Sequence, residues 1–448
     1  MIKSLLTGSA GLFAMRISGA GVGFLTQIML AKTLGSHDLG IFYSATSLAT
    51  VAGFVTSIGY SQIAYRFSAR YRDASKARLF KAFVSRAMFD GLACSVAAAF
   101  LVVLACLLVP DLDPTTRVVY AVAGATIVPA ASLVLNTNLA GAMRFFGWCY
   151  VPDGLVRPII FLGLIVALEA FVRRPTGGEV MILFSTLVTV TALVVFRALQ
   201  PHLPAIEMPR PEERRLGQRW RREALPLVLL SLYTNTFADV AILFATPFLS
   251  QSDIAVFGVC LKLSLLVGYF VQIAQQIAIP DLADARGKGD QAGMRRAARR
   301  SILLPLAFTS AAVLGCFVLG RQVLGLFGAE FGTARDVLVI MVATQVVRAM
   351  AGPSAHLLTL TGAQRLNAAL CTGALVALFA ANWVLGPRFG PAGAAWAVVI
   401  SYTGWIVATA VAVRRLGEMR TDVVALFLNR PRAAVAPVCG AVREAPAE

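Results

Sequence analysis

The chain has 448 residues, of which 58% are hydrophobic and only 14% are charged. A soluble globular domain carries about 25% charged residues, so this composition excludes an ordinary soluble protein and indicates a membrane protein. The formal net charge of +17 would suit a nucleic-acid-binding protein, but the distribution of the basic residues along the chain argues against that class.

Apolar segments recur along the chain, and twelve of them are long enough to cross a bilayer as helices. We therefore predict an all-α polytopic membrane protein. In chain order, the predicted spans are 4–31, 39–64, 82–110, 117–141, 150–171, 179–199, 222–248, 254–280, 301–327, 333–360, 366–386 and 390–414.

The twelve spans divide into two sets of six, and the two sets resemble each other. The segment "LGSHDLGIFYSATSLATVAGF" (34–54) aligns with "LSQSDIAVFGVCLKLSLLVGY" (249–269). Because six is even, both sets enter the membrane from the same side, which predicts parallel repeats with the substrate site between them. The predicted domains are a lobe at 1–200, a cytoplasmic linker at 201–221, a second lobe at 222–416 and a disordered tail at 417–448.

Basic residues concentrate in alternate loops. Of the 40 Lys and Arg residues, 29 lie in the N-terminus, one set of loops and the C-terminal segment, whereas seven lie in the opposite loops. Cytoplasmic loops carry this excess, so we expect both termini in the cytoplasm. The basic excess is therefore interpreted as an orientation signal, helped by attraction to anionic lipid head groups, and not as a sign of nucleic-acid binding.

Three basic residues lie inside predicted spans without an acidic neighbour one turn away: Arg16 in the first, Lys262 in the eighth and Arg348 in the tenth. A charge at the centre of a membrane helix costs about 2.5–3.5 kcal/mol on insertion scales, so it is normally kept for function. We predict that Arg16 and Arg348 bind substrate. Lys262 is a third candidate, although its long side chain could instead reach the outer membrane surface.

Two further basic residues have an acidic partner four residues away. Arg157 follows Asp153, and Arg86 precedes Asp90. Side chains at this spacing lie on the same face of a helix, so both pairs are predicted to be structural.

Asp239 is the only acidic residue deep in a predicted span, and Asn235 lies one turn before it. Such a carboxylate can bind a coupling proton or sodium ion, with Asn235 as a further ligand, or it can form a salt bridge to Arg16 or Arg348. The sequence leaves both alternatives open. Gln345 adds an amide, so the predicted cavity is polar and positively charged, which suits an anionic ligand that carries a hydroxylated group such as a sugar.

No catalytic or cofactor-binding pattern is present. The three His residues are scattered, and the seven Cys residues lack the spacing of disulfides or metal ligands. There is neither a phosphate-binding loop nor a nucleophile elbow. We therefore expect a transporter without cofactor or metal, coupled to an ion or to the membrane potential, and not an enzyme.

Three stretches resemble bacterial polysaccharide exporters. They are "AKTLGSHDLGIFYSATSL" (31–48), "LTGAQRLNAAL" (360–370) and "GPRFGPAGAAWAVVIS" (386–401), the last with a Pro-x-x-Gly-x-x-Gly-Ala-Ala run that opens a helix. Taken in order with the helix count, they resemble the Wzx-type lipid-linked oligosaccharide flippases of the multidrug/oligosaccharidyl-lipid/polysaccharide (MOP) exporter superfamily. The fourteen-helix lipid II flippases are similar, with two more helices than the twelve predicted here.

The resemblance implies a V-shaped pair of six-helix lobes that works by alternating access. Its implied substrate is an undecaprenyl-diphosphate-linked sugar repeat unit, moved from the inner to the outer leaflet. Related flippases line their central cavity with basic residues, and Arg16 fits that role by its position in the first helix.

The predicted function is therefore translocation of a lipid-linked anionic glycan for exopolysaccharide, capsule or O-antigen synthesis. The expected partners are membrane lipids and a polysaccharide polymerase or export complex. A multidrug exporter of the same superfamily is the first alternative, although cationic drugs would need an acidic cavity. A membrane-bound polysaccharide polymerase or ligase is the second, although its chemistry usually needs a large outward loop.

Overall fold

A computed structural model describes residues 9–71, 77–110, 113–171, 175–204, 214–288, 290–352, 358 and 363–416. Every regular element in these ranges is a helix. The predicted all-α membrane class is therefore confirmed.

The first half of the chain contributes seven α-helices and one π-helical segment. They are α1 (Ser9–Thr56), α2 (Tyr60–Arg70), α3 (Ala77–Leu108), α4 (Pro114–Ala142), α5 (Phe146–Val151), the π-helical segment Pro152–Val156, α6 (Arg157–Phe171) and α7 (Gly177–Leu199).

The second half follows a short 3-10 turn at Gln200–His202. Its helices are α8 (Arg214–Asn235), α9 (Phe237–Ala245), α10 (Gln251–Gly287), α11 (Gln291–Gly325), α12 (Arg335–Ala351) and α13 (Gln364–Arg415).

Local sequence signals begin several of these helices. The carboxylate of Asp113 accepts two backbone N–H groups of the first turn of α4, and Pro114 occupies a position where no N–H is needed. Thr176 and Glu179 form a reciprocal capping box at the start of α7. These short-range contacts explain why both helices begin where the apolar pattern begins.

Eight helices are long and apolar enough to cross a membrane, and the bent pair Arg215–Asn235 and Phe237–Phe248 makes a ninth. Two of the eight, α1 and α13, each cover all or part of two predicted spans, divided where Gly35 and Gly390 adopt φ angles of 71° and 56°. The predicted span 39–64 continues beyond the end of α1 at Thr56 into α2. Glycine adopts such angles at little steric cost. The remaining predicted span corresponds to α12, which has 17 residues. Each of the twelve predicted segments thus overlaps a helical segment of the described chain.

The two halves meet mainly through α1 and α10, whose buried side chains belong to one hydrophobic core. Tyr43 on α1 and Phe257 on α10 are both fully buried in that core. A Cβ atom at Gly40 of α1 would overlap the carbonyl oxygen of Gln251 at the start of α10. The two helices therefore approach each other closely, backbone against backbone.

Polar contacts join the halves at both ends of the bundle. At the end that carries α2 and the start of α8, here called the basic end, Arg66 forms an ion pair with Glu223. At the opposite end, near Gly35, the hydroxyl of Ser36 donates a hydrogen bond of 2.9 Å to the carboxylate of Glu330. The halves thus touch above and below the space that separates them.

The predicted Arg86–Asp90 pair is confirmed, with a nitrogen–oxygen distance of 3.0 Å. The same carboxylate accepts a hydrogen bond of 2.8 Å from the hydroxyl of Tyr60 and one of 3.2 Å from Arg221. Asp90 therefore connects α2, α3 and α8, which the sequence did not indicate.

The helix α8 begins at Arg214, within the predicted linker at 201–221. Trp220 in this early part of α8 is only 1% exposed, and its ring packs edge-on against Phe83 with 5.4 Å between the centroids. This aromatic contact with the first half stabilises the early turns of α8. Residues 205–213 of the linker and the predicted tail at 417–448 lie outside the described residues.

Candidate functional site

A cavity of about 690 Å³, here called the central cavity, lies between the two halves. Its walls come from α1, the π-helical segment and α6 of the first half, and from α8, α9, α10, α12 and α13 of the second. Its charged and amide lining residues are Gln27, Asp153, Asn235, Lys262, Gln272 and Arg348.

Two smaller chambers share wall residues with the central cavity. The first-half chamber, of about 350 Å³, shares Gln27 and Lys262 with it and extends to Asp239. The second-half chamber, of about 320 Å³, shares Asn235 and Arg348 with it. The two predicted cations Lys262 and Arg348 therefore lie where the central cavity meets one chamber each.

Lys262 is held by residues of the opposite half. Its ammonium nitrogen lies 3.1 Å from the side-chain oxygen of Gln27 and 3.6 Å from the centre of the Tyr43 ring. The ring can lie there because Gly258, one turn before Lys262, has no side chain. A Cβ atom at this position would collide with the Tyr43 ring. A cation over an aromatic face is attracted by the π-electrons. Lys262 therefore faces the cavity with part of its binding capacity already occupied.

Asp239 lines the first-half chamber, where its carboxylate accepts a hydrogen bond of 3.2 Å from the hydroxyl of Ser47 on α1. The positive charges of Lys262 and Arg157 act on this carboxylate. No direct ion pair involves Asp239 among the described residues, so the alternative of a salt bridge to Arg348 is absent there. The alternative of a salt bridge to Arg16 falls on a side chain outside the described residues.

The predicted Arg157–Asp153 pair is confirmed, at 2.8 Å. Asp153 belongs to the π-helical segment Pro152–Val156, and the guanidinium of Arg157 lies 5.4 Å from the centre of the Phe184 ring. Both residues line the first-half chamber. π-helical turns often occur at functional sites, but the two opposite charges of this pair offset each other in the chamber wall.

Asn235 is separated from Asp239 by a sharp break. The helix ends at Asn235, bends by 86° and resumes at Phe237. Asn235 is exposed in the central cavity and the second-half chamber, whereas Asp239 lines the first-half chamber. The structure therefore does not bring the two predicted ion ligands to the same cavity.

Arg348 lies in the last turn of α12 and is half-buried in the wall of the central cavity. None of the ion pairs among the described residues involves it. Its charge reaches the hydroxyls of Tyr233 and Tyr402 on α8 and α13. Within the described part of the chain, Arg348 therefore presents a guanidinium to the cavity without a carboxylate partner.

Gln345 does not line the central cavity or either chamber. It is only 2% exposed, and its amide nitrogen donates a hydrogen bond of 2.9 Å to the hydroxyl of Ser264. Its side chain lies against Gly268, where a Cβ atom would come within 2.5 Å of the amide oxygen. The prediction that Gln345 binds substrate thus disagrees with the structure, in which the buried side chain joins α12 to α10.

The backbone of Arg16 lies in α1, three residues before Gly19 and four before Ala20, which line the central cavity. The side chain of Arg16 lies outside the described residues, so its predicted role stays a prediction.

Sequence reasoning missed two residues of this site. Gln27 accepts hydrogen bonds from both Lys262 and Tyr43, and Ser47 donates one to Asp239. Gln27 follows Arg16 by eleven residues, which is three helical turns. That spacing places Gln27 on the same helix face as Arg16 and could have predicted a polar side of the cavity. Nothing in the sequence indicated that the hydroxyl of Ser47 contacts Asp239.

Comparison with known proteins places the chain in context. A model of the family described as "Polysaccharide biosynthesis protein" matches residues 5–283, more than half of the chain. A comparison with curated protein sequences finds no match.

Several solved structures share the fold. The lipid II flippase MurJ in an inward closed conformation superposes with a TM-score of 0.71 at 12% identity, over 90% of this chain and 87% of that one. An inward-facing multidrug resistance MATE family transporter of the MOP superfamily gives 0.60 at 16% identity, over 89% and 94%. A MOP superfamily transporter from Pyrococcus furiosus, titled for the reverse polarity of its binding pocket, gives 0.56 at 16% identity, over 92% and 97%. These likenesses confirm the predicted V-shaped transporter fold.

Proposed function

Because this chain belongs to the polysaccharide biosynthesis protein family, we propose that it is a flippase for an undecaprenyl-diphosphate-linked oligosaccharide repeat unit. It resides in the bacterial inner membrane with both termini in the cytoplasm. There it supplies exopolysaccharide, capsule or O-antigen synthesis, in which a polymerase or export complex consumes its product. No bond is made or broken during this movement.

One observation carries the proposal: Arg348 faces a cavity shared by both halves, and no carboxylate pairs with it among the described residues. A guanidinium binds phosphate through two parallel hydrogen bonds. Its cost in the membrane is offset when an anionic ligand takes the place of a carboxylate. A diphosphate is such a ligand, and Lys262 adds a second positive charge on the same cavity. Arg16, on the cavity-lining helix α1, is the third proposed cation.

Alternating access requires the halves to separate at one end at a time. The contacts that must break are Arg66–Glu223 at the basic end and Ser36–Glu330 at the opposite end. Both contacts lie outside the hydrophobic core, and Ser36 lies one turn before Gly40, whose backbone contacts Gln251, so opening at that end also separates α1 from the start of α10. The lipid tail remains in the bilayer while the diphosphate and the glycan cross through the cavity.

Asp239 is the proposed coupling residue. It lies beside Ser47 on α1 and under the positive charge of Lys262, which itself contacts Gln27 on α1. Binding of a proton or sodium ion at Asp239 would change the charge balance of this contact between the halves. The coupling ion would therefore act on the relative position of α1 and α10.

A multidrug exporter is the second candidate, because the fold is shared with MATE transporters. Asp153 and Asp239 could attract a cationic drug. Asp153 is paired with Arg157, however, and Asp239 lies under two positive charges. The carboxylates are thus neutralised within the protein, which favours the anionic substrate.

The test reconstitutes the full-length protein into liposomes that contain a fluorescent undecaprenyl-diphosphate-linked oligosaccharide, and measures flipping with a membrane-impermeant quencher. We expect flipping by the wild type and a loss of about tenfold or more in Arg348→Gln, since hydrogen bonds to charged groups contribute about 1.5–3 kcal/mol. Arg388→Gln is the matched control, because Arg388 is exposed and does not line the cavity.

Absence of flipping by the wild type, together with resistance to cationic drugs conferred on a sensitive strain, would reject the glycan flippase in favour of the multidrug exporter. Equal flipping by the Arg348→Gln and wild-type proteins would contradict the role of Arg348 on which the proposal rests.

A further inference from the structure

We infer that the second-half chamber is a carbohydrate subsite, which receives the sugar next to the diphosphate while Arg348 holds the diphosphate itself. The inference rests on the proposed function, but it adds a location and a recognition chemistry for the glycan. Four features of the chamber support it.

The first feature is the chemistry of the chamber wall. Its amide side chains come from both halves: Gln62 on α2, Asn235 on α8, Gln272, Gln275 and Gln276 on α10, and Asn367 on α13. An amide offers both donors and acceptors, as a sugar hydroxyl does. Among the described residues that line the chamber there is no carboxylate, and Arg348 is its only charge. The wall therefore suits a neutral polyhydroxylated group beside an anion.

The second feature is an aromatic cluster on one side. Tyr233, Tyr402 and Trp405 line the chamber, and the rings of Tyr233 and Trp405 lie 5.2 Å apart between centroids. Tyr402 contacts Tyr233 at 5.8 Å, so the three rings form one packed group. Trp405 is the half-exposed member, whereas the two tyrosines are buried beneath it. A flat apolar face next to amides suits the C–H face of a sugar ring.

The third feature is an unsatisfied hydroxyl. Thr409 lies one turn after Trp405 on α13, is 2% exposed and lines the chamber. Its hydroxyl oxygen has no hydrogen-bond partner among the described residues. Most buried polar atoms are hydrogen-bonded, because leaving one unpaired costs about 1–3 kcal/mol. A ligand hydroxyl at this position would satisfy it.

The fourth feature is connectivity. Arg348 lines both the central cavity and the second-half chamber, so a diphosphate bound by Arg348 from the central cavity has its first sugar at the chamber entrance. A volume of about 320 Å³ accommodates the proximal part of a glycan, and the remainder extends into the central cavity of about 690 Å³. The first-half chamber lacks this arrangement, because its ionisable groups Asp153, Arg157, Asp239 and Lys262 lie in mutual contact or under each other's charge.

The experiment measures binding to the purified full-length protein in nanodiscs. Farnesyl diphosphate is the probe without sugar, and farnesyl diphosphate linked to glucose, galactose or N-acetylglucosamine provides the sugar-bearing probes. We expect at least one sugar-bearing probe to bind about tenfold more tightly than farnesyl diphosphate. Thr409→Val and Trp405→Leu should reduce this preference to about threefold or less while the affinity for farnesyl diphosphate stays unchanged.

The controls separate recognition from folding. Thr372 lies on the same helix, but it does not line the chamber, and its hydroxyl already donates a hydrogen bond to the carbonyl of Ala368. Thr372→Val should therefore retain the preference for the sugar-bearing probe. Thr409→Ser keeps the hydroxyl and should retain the preference. Arg348→Gln should weaken both classes of probe, because it acts on the diphosphate.

Each outcome is decisive. Equal binding of all probes to the wild type, or a sugar preference that survives both Thr409→Val and Trp405→Leu, would overturn the subsite and leave the proposed function standing. Failure of the wild type to bind any diphosphate would overturn the proposed function and the subsite with it.

Discussion

Lys262 on α10 donates a hydrogen bond of 3.1 Å to the side-chain oxygen of Gln27 on α1 and thereby links the two halves of the chain. The same oxygen accepts a hydrogen bond of 2.6 Å from Tyr43, whose ring lies under the ammonium group. Lys262 is thus both a cavity cation and part of the contact between halves. Among the described residues, no hydrogen bond or cation–π contact of this kind involves the Arg348 side chain, so the two cations should respond differently to substitution.

Substitution of Lys262 should affect transport more than binding. We expect Lys262→Gln to reduce flipping by about tenfold but to weaken farnesyl diphosphate binding less than Arg348→Gln does, because Gln27 and Tyr43 already occupy part of its capacity. Binding in nanodiscs and flipping in liposomes measure the two effects. Lys288→Gln is the control, since Lys288 is exposed and outside the cavity. A larger loss of binding in Lys262→Gln than in Arg348→Gln would contradict this division of roles.

Substitution of Asp239 should uncouple transport from its driving ion. Asp239 lines the first-half chamber and not the central cavity, so Asp239→Asn should leave farnesyl diphosphate affinity within about twofold of the wild type. Flipping should lose its response to an imposed proton or sodium gradient, since intramembrane carboxylates serve such coupling. Asp284→Asn, at an exposed position of α10, should keep the response. An intact gradient response in Asp239→Asn would transfer the coupling role to another residue.

The ionic contacts of Asp90 and of Glu223, both at the basic end, should contribute differently to the stability of the protein. Asp90 is 14% exposed at its side chain and binds Arg86, Arg221 and the hydroxyl of Tyr60. Its removal leaves two cations without their partner, so Asp90→Ala should cost about 2 kcal/mol or more and lower the melting temperature. Glu223 pairs with Arg66 and Arg219, both of which are exposed, and such surface pairs contribute about 0–1 kcal/mol each. Thermal unfolding of the two variants in detergent compares them, and a larger loss in Glu223→Ala would contradict the ranking.

A methyl group at Gly40 should disturb the contact between halves. A Cβ atom there would overlap the carbonyl oxygen of Gln251, and overpacking of a tight contact typically costs about 1–3 kcal/mol. Gly40→Ala should therefore lower the melting temperature and impair flipping, although Gly40 does not line the central cavity. Gly373→Ala is the matched control, because a Cβ atom at Gly373 meets nothing within 4 Å. Equal melting temperatures and equal flipping for the two variants would contradict the expected cost of a methyl group at the contact between α1 and α10.

Local pairs were predictable from the sequence, whereas contacts across the break in the bent helix were not. Asp153–Arg157 and Arg86–Asp90 follow from the spacing of four residues, because that spacing fixes a shared helix face. Asn235 and Asp239 have the same spacing, yet the 86° bend between them sends them to different cavities. The helical periodicity of the residues in this stretch does not reveal such a bend.

By itself, the sequence determined that this chain is a multi-span helical protein and that cations lie within its spans, because hydropathy is a sum over neighbouring residues. Tertiary structure alone decided which polar side chains meet. Gln345 is buried against Ser264, Gln27 reaches Lys262, and Arg348 faces the cavity without a carboxylate among the described residues. The physical reason is that the facing of a side chain depends on how its helix is rotated and packed against the other half, and that packing is set by contacts between residues far apart in the chain.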